Sequence, residues 1–183
     1  MVRGRPNPRH FGFPERFRHC VKRQGQTHRA LARLAGVSAP MIGYLGIGQR
    51  IPTVRTIARL AVALKVSPAW LAYGIGEPAA ETAAATCEEM GARLQACREE
   101  KGMTKAALAR LGGLSPSAFA KIENGGQSGI DVIESLAKSL AVSAGWLAFG
   151  IEPRVFSSPR RGRPPAQPAS ATVATQSNPN CRE

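Results

Sequence analysis

Arg-Gly-Arg-Pro stands near both ends of the chain, with Arg3 and Arg5 in the first copy and Arg161 and Arg163 in the second. The glycine lets the backbone lie on the floor of a narrow groove, and the proline keeps the strand extended. Arginine side chains beside such a backbone favour the negative potential of an A·T-rich minor groove. A pair of solvated basic tails is the alternative, and the pattern leaves both open.

The sequence offers no other cluster with the spacing that catalysis or metal binding requires. Its four cysteines form no Cys-x-x-Cys motif, and its three histidines are not at metal-ligand spacing from them. Cys20 and Cys97 fall on the apolar faces of predicted helices, which is typical of core residues. We therefore expect a protein that is not an enzyme, with no cofactor, no metal and no evident small-molecule ligand.

The charge of the chain favours an anionic partner. It has 25 Lys and Arg against 12 Asp and Glu, a net charge of +13. Double-stranded DNA is the first candidate, because its phosphates are dense and regular. No apolar run approaches the ~18 residues of a membrane span, and the N-terminus lacks a signal-peptide core. We expect a cytoplasmic, nucleoid-associated protein that does not contact a membrane.

The sequence contains two copies of one unit. When the sequence is aligned with itself at a shift of 77 residues, 30–34 matches 107–111. After Gly48 and Gly125 the shift becomes 76 residues, and Trp70 matches Trp146. A self-match this long indicates a duplication. We assign 12–77 to a first unit, 88–153 to a second unit, 78–87 to a linker, 1–11 to a basic N-terminal arm and 154–183 to a disordered basic tail.

Each unit is predicted to be all-α, with five short helices. Apolar residues recur at helical spacing, Thr104 and Ser115 precede the second and third helices as candidate caps, and no alternating strand pattern occurs. A short turn around a glycine separates the second helix from the third. This spacing is typical of a helix-turn-helix, whose second helix can enter the major groove of DNA.

The stretches 25–71 and 102–147 each resemble the Cro/repressor-type, or XRE-like, helix-turn-helix family. They share Leu-Ala before the turn, a turn Gly followed by an apolar residue and Ser, and a closing Val-Ser-x-x-Trp-Leu; 122–125 also reads Ile-Glu-x-Gly. The resemblance implies two tandem five-helix lambda-repressor-like domains. It also implies a sequence-specific transcriptional regulator of bacterial or phage type that reads the major groove with the third helix.

The candidate DNA contacts lie at the start of the second helix, along the third helix and beside these two helices. In the first unit they are Thr27, His28, Arg29, Ser38, Ala39, Pro40, Met41, Tyr44, Gln49, Arg50 and Arg55. In the second unit they are Thr104, Lys105, Ser115, Pro116, Ser117, Lys121 and Asn124. Neither third helix has the Arg, Asn or Gln pair of bidentate base recognition. This favours two rival interpretations, an antitoxin-like or adaptor protein-interaction module and an architectural DNA-binding protein.

Charge divides the units. The first has ten Lys or Arg and two acids, net +8, and the second has seven against eight, net −1. We therefore expect the first unit to grip phosphates, and the second to serve partly in dimerisation or in binding another partner. Flanking such units, the Arg-Gly-Arg-Pro copies resemble AT-hook cores and could act as arms around the duplex.

The linker leaves the geometry open. Ten residues span at most ~33 Å, close to the ~34 Å between neighbouring major-groove half-sites. Two units of one chain could reach adjacent turns of DNA. They could equally pack together and leave a homodimer to supply the second site.

Overall fold

The structure, a computed structural model, describes residues 12–78 and 89–155. These stretches contain α-helices and two isolated β-bridges, with five helices in each unit. The prediction of an all-α fold built from two tandem five-helix units is confirmed. The helices are α1 Phe13–Gln24, α2 His28–Ala35, α3 Ala39–Gly46, α4 Val54–Leu64, α5 Pro68–Tyr73, α6 Met90–Glu100, α7 Lys105–Leu111, α8 Pro116–Glu123, α9 Ile130–Leu140 and α10 Ala144–Phe149.

Serine and threonine side chains begin most of these helices. Thr27 Oγ1 accepts a hydrogen bond at 3.2 Å from the backbone N–H three residues later, and Thr104 does the same at 3.2 Å. Ser38 and Ser115 cap α3 and α8 in the same way. Each cap is worth about 1 kcal/mol. Because a cap is a local feature, the duplicated sequence forms it twice.

A glycine in the left-handed conformation lies between the two helices of each helix-turn-helix. Gly36 has φ 62° and Gly113 has φ 69°. A residue with a Cβ is strained there, so glycine sets the angle at which the third helix leaves the second.

Each unit contributes an apolar core, the two cores join into one continuous cluster, and the third helix of each unit is anchored there by its inner face. The sulfurs of Cys20 and Cys97 belong to these cores, as the sequence predicted. Each large buried aliphatic or aromatic side chain contributes about 1.5–3 kcal/mol. The largest buried side chains of the first unit include Phe13, Phe17, Leu31, Ile42, Leu45, Ile57, Leu60, Leu64 and Leu71, and those of the second include Leu94, Phe119 and Phe149.

The two units pack against each other about an approximate two-fold axis. The backbone N–H of Val54 donates to the Ser128 carbonyl at 3.0 Å, and the N–H of Ile130 donates to the Pro52 carbonyl at 3.2 Å. Ile130 is the equivalent of Val54, and Ser128 is the equivalent of Pro52. Each hydrogen bond is therefore the symmetry copy of the other.

The same axis passes between α5 and α10, which pack on one another. Ala69 and Gly145 occupy equivalent positions, and a Cβ placed on Gly145 would lie 2.9 Å from the Ala69 Cβ. Tyr73 and Phe149 are also equivalent, and their rings face each other with centroids 6.3 Å apart. The sequence left open whether the units pack together, and the structure shows that they do.

An arginine of the first helix braces the fifth helix in each unit. Arg16 Nε donates to the Leu71 carbonyl at 3.1 Å, and Arg93 Nε donates to the Leu147 carbonyl at 3.1 Å. Each guanidinium also reaches the next carbonyl along the chain. Cations at a helix C-terminus meet its unpaired carbonyls and the negative end of its dipole. These contacts fix α5 and α10 in the orientation that their mutual packing requires.

The first residues of the segment assigned to the tail contact the second unit. The Arg154 guanidinium lies 5.0 Å from the Trp146 ring centroid and pairs with Glu100. The Arg154 carbonyl accepts from the Ser143 N–H at 2.7 Å. Residues 154 and 155, assigned from the sequence to a tail, therefore pack on the second unit.

Candidate nucleic-acid interface

The outer face of α3 is open to solvent while its inner face is held in the core. Ile42 and Leu45 are fully buried, whereas Tyr44 is 44% exposed. Ser38 and Pro40 are exposed, and Ala39 and Met41 are half-buried on the same helix. The side chains that the sequence assigned to DNA contact therefore lie together on one accessible surface.

The equivalent surface of the second unit lies on α8. Phe119 and Ile122 anchor this helix in the core. The predicted DNA contacts here are all exposed: Ser115, Pro116, Ser117, Lys121 and Asn124. Neither third helix is covered by another described part of the chain.

The start of the second helix differs between the units. Thr27, His28 and Arg29 are all exposed. In the second unit Thr104 is exposed, but the Lys105 ammonium lies 2.8 Å from the Glu123 carboxylate. The positive charge of Lys105 is thus partly neutralised. Among the residues that the structure describes, Arg29 forms no ion pair.

Three further candidates of the first unit are exposed beside α3. Gln49 and Arg50 lie in the connection from α3 to α4, and Arg55 lies in the first turn of α4. Within the described residues no acidic side chain pairs with Arg50 or Arg55. Their charges are therefore available to a phosphate.

The second unit neutralises its own cations more fully. Arg98 and Lys105 pair with Glu123, and Lys138 pairs with Glu134 at 2.7 Å. The ion pair described in the first unit joins Arg18 to Glu15. The +8 charge of the first unit is therefore largely uncompensated, in agreement with the charge count.

A buried ion pair in the second unit was not predicted from the sequence. Arg98 Nε donates to Glu123 Oε1 at 2.7 Å, and the Glu123 side chain is only 1% exposed. Burial alone raises the pKa of the Glu123 carboxyl, but the hydrogen bonds and charges of Arg98 and Lys105 outweigh it, and its pKa lies below its usual value. The pair ties the end of α8 to α6. The sequence did contain a signal for this ion pair, namely Glu123 in the Ile-Glu-x-Gly motif and Arg98 on the first helix of the same unit.

The first unit has a cleft in the place of this pair. Val21, Gly46 and His28 are the equivalents of Arg98, Glu123 and Lys105. They line a cleft of about 370 Å³ between α1 and the start of α2. The end of α3 therefore lacks the side-chain tie that holds α8.

The approximate two-fold axis relates the two candidate surfaces to each other. A two-fold rotation leaves position along its axis unchanged, so α3 and α8 lie at the same height. α3 ends seven residues before Thr53, and α8 ends six residues before Gly129. Thr53 and Gly129 pair with each other at the axis. The two helices thus lie at equivalent positions on either side of the axis.

Some predictions from the sequence concern features other than this interface. Arg3, Arg5, Arg161 and Arg163 lie outside the described residues. Within 12–78 and 89–155, no group of three or more His, Cys, Asp and Glu side chains is placed to hold a metal ion. None of the described helices has the length and apolar character that a membrane span requires.

Comparison with known proteins gives one family. The family model HTH_31, described as a helix-turn-helix domain, matches residues 13–72 and again 89–147. None of the curated proteins compared is significantly similar to the chain. Among solved structures, an HTH_3 family transcriptional regulator from Vibrio cholerae aligns over 32% of this chain and 33% of its own, with 29% sequence identity and a TM-score of 0.31. That alignment spans a third of the regulator.

Proposed function

The chain belongs to the helix-turn-helix family, and from this we propose that it is a sequence-specific double-stranded DNA-binding transcriptional regulator of bacterial or phage type. The observation that carries the proposal is that the outer faces of both third helices are exposed to solvent. A major groove ~12 Å wide admits one such helix. Two of them, related by a two-fold axis, can face a single duplex.

Base reading falls to the outward side chains of the third helices. Met41 and Tyr44 offer apolar contact of the kind that fits a thymine methyl group, and Lys121 can donate to guanine O6 or N7. Ser38 and Ser115, at the helix N-termini, lie where backbone N–H groups and the positive end of the dipole attract a phosphate.

Phosphate gripping falls mainly to the first unit. Arg29, Arg50 and Arg55 are exposed and surround α3. Phosphate neutralisation by such residues supplies most non-specific affinity. In the second unit Lys105 shares its charge with Glu123, which weakens its attraction for DNA. His28 and Gln49 add hydrogen-bond donors beside the arginines.

The Arg-Gly-Arg-Pro segments serve as arms. Arg3, Arg5, Arg161 and Arg163 would enter the minor groove on either side of the helices. This division of labour matches that of DNA-binding domains whose helix reads the major groove while a flexible basic segment reaches the adjacent minor groove. It also keeps the protein on the nucleoid.

A salt series on a random duplex tests the proposal. Log affinity should fall linearly with log salt, with a slope of about −0.9 for each phosphate contacted. Selection from a random library should then enrich one sequence. A flat salt response would contradict DNA binding, and selection without enrichment would favour an architectural role.

One observation favours a second candidate function, protein interaction. Leu34 and Leu111 stand at equivalent positions on α2 and α7 and are 63% and 59% exposed. Exposed apolar side chains repeated at equivalent positions suit a protein partner. A chain with this function alone would show the flat salt response.

A further inference from the structure

We propose that one copy of this chain binds one DNA site made of two unlike half-sites, with α3 in one half and α8 in the other. The inference rests on the proposed function and specifies its DNA partner. The chain then corresponds to a two-chain regulator whose two subunits are joined in one polypeptide, because the duplicated unit takes the place of the second subunit.

The surface about the two-fold axis is occupied within the chain. Ala69 faces Gly145 and Tyr73 faces Phe149, so α5 and α10 bury each other. A Cβ 2.9 Å from another Cβ is closer than van der Waals contact allows, and only glycine at 145 permits this approach. A second chain therefore has no access to the face through which these units associate.

The axis also relates the two recognition helices to each other. The reciprocal hydrogen bonds of Val54 with Ser128 and of Ile130 with Pro52 hold together the segments that follow α3 and α8. A two-fold relation between the two helices matches the approximate dyad of a duplex. Packing of the units and engagement of two half-sites are thus compatible in a single chain.

The two helices present different chemistry at equivalent positions. Met41 corresponds to Ala118, and Tyr44 corresponds to Lys121. Met41 and Ala118 are both apolar and half-buried and differ in size, whereas at the second position Tyr44 is aromatic, Lys121 is cationic, and both are exposed. α3 therefore suits a thymine methyl group where α8 suits guanine O6 or N7. The half-sites must differ, and the whole site lacks two-fold symmetry.

Selection from a random duplex library with the full chain, followed by native mass spectrometry, tests the inference. We expect one chain per duplex and an enriched sequence whose halves differ. Two chains per duplex, or a palindromic sequence, would overturn this inference and leave the proposed function standing. Absence of any duplex binding would overturn both.

Grafting the α3 face onto α8 tests the origin of the asymmetry. The variant carries Pro116→Ala, Ser117→Pro, Ala118→Met and Lys121→Tyr, and circular dichroism checks its fold. We expect its selected site to become two like halves. A site unchanged from that of the native chain would contradict the inference.

Altered DNA spacing tests the same point with the native chain. Inserting five base pairs between the halves rotates one by about half a turn. We expect affinity to fall to that of a duplex with one half-site. Unchanged affinity would show that the units move independently, and would overturn the inference.

Discussion

The rings of Tyr73 and Phe149, at equivalent positions in the two units, meet across the two-fold axis with their planes at 47°. The pair is not symmetric in its hydrogen bonding. Tyr73 Oη donates to the Ile130 carbonyl of the other unit at 3.3 Å. Burial raises the pKa of Tyr73 well above its usual value, and Glu134 and Asp131 add to the effect. The phenol is therefore a neutral donor at every physiological pH.

Tyr73→Phe removes this hydrogen bond and leaves the ring contact. We expect the free energy of unfolding to fall by about 0.5–1.5 kcal/mol, because the Ile130 carbonyl loses its side-chain partner. Urea unfolding followed by circular dichroism measures the change. Tyr44→Phe, the same chemical change at an exposed site, is the control and should leave stability within about 0.5 kcal/mol. Equal losses of stability in both variants would show that the Tyr73 hydrogen bond does not stabilise the fold.

Gly145→Leu inserts a side chain where α10 touches Ala69. We expect the units to separate, because the new Cβ alone comes within 2.9 Å of the Ala69 Cβ. Small-angle scattering should show a larger radius of gyration. Ala96→Leu adds the same bulk on the exposed face of α6 and should leave the radius unchanged. An unchanged radius in Gly145→Leu would contradict the packing of α5 on α10.

Glu123→Gln breaks the buried pair with Arg98. We expect a loss of about 1.5–3 kcal/mol, because the Arg98 guanidinium loses its buried charged partner and is left with the exposed Glu99 carboxylate. The native protein should lose the same contribution on acidification. With its pKa lowered in the folded state, Glu123 stabilises fully above its unfolded value of about 4.3, and this is lost as pH falls through the folded-state pKa.

Denaturant unfolding of the native chain and of Glu123→Gln between pH 7 and pH 3 separates these effects. The variant should show a weaker dependence on pH. Glu134→Gln, at an i,i+4 pair with the exposed Lys138, serves as the control and should cost about 0.5 kcal/mol or less. Parallel pH profiles for the native chain and Glu123→Gln would refute the lowered pKa.

Gly43 and Gly36 should respond to alanine in opposite directions. Gly43 lies inside α3, and a Cβ there meets nothing within 4 Å. Alanine should therefore stabilise the protein by about 0.5–1 kcal/mol. Gly36 has φ 62°, so alanine there should destabilise it. Thermal unfolding measures both, and a shift of the same sign in both would contradict the described turn.

Arg29→Gln, Arg50→Gln and Arg55→Gln test phosphate gripping by the first unit. Each should weaken duplex binding without changing the preferred sequence, and reduce the salt slope by about 0.9. Fluorescence anisotropy across a salt series measures this. Lys138→Gln, whose charge is already paired with Glu134, is the control. A smaller loss from the three arginine variants than from the control would assign the grip elsewhere.

The sequence predicted the local elements of the fold well. Caps such as Thr104 and Ser115, and turn glycines such as Gly36, act over a few residues, so their pattern alone marks where helices begin and end. The exposure of the third helices agrees with the family resemblance, and Ile42 and Leu45 bury the inner face of α3. The DNA contacts themselves remain predictions.

Relationships between distant residues could not be read in the same way. Arg98 and Glu123 are 25 residues apart and meet only after α6 and α8 pack. The ion pair of Lys105, a predicted DNA contact, with Glu123 was also absent from the sequence pattern. The axis through Ala69 and Gly145 was equally hidden, since a ten-residue linker permits both separated and packed units.

The packing of α5 on α10 within one polypeptide also changes how the protein would respond to its own abundance. A regulator that assembles from two chains falls apart on dilution, and its active form declines with the square of concentration. Here the partner is always present at a high effective concentration. Occupancy of a DNA site bound by one chain would therefore rise in direct proportion to copy number at low occupancy.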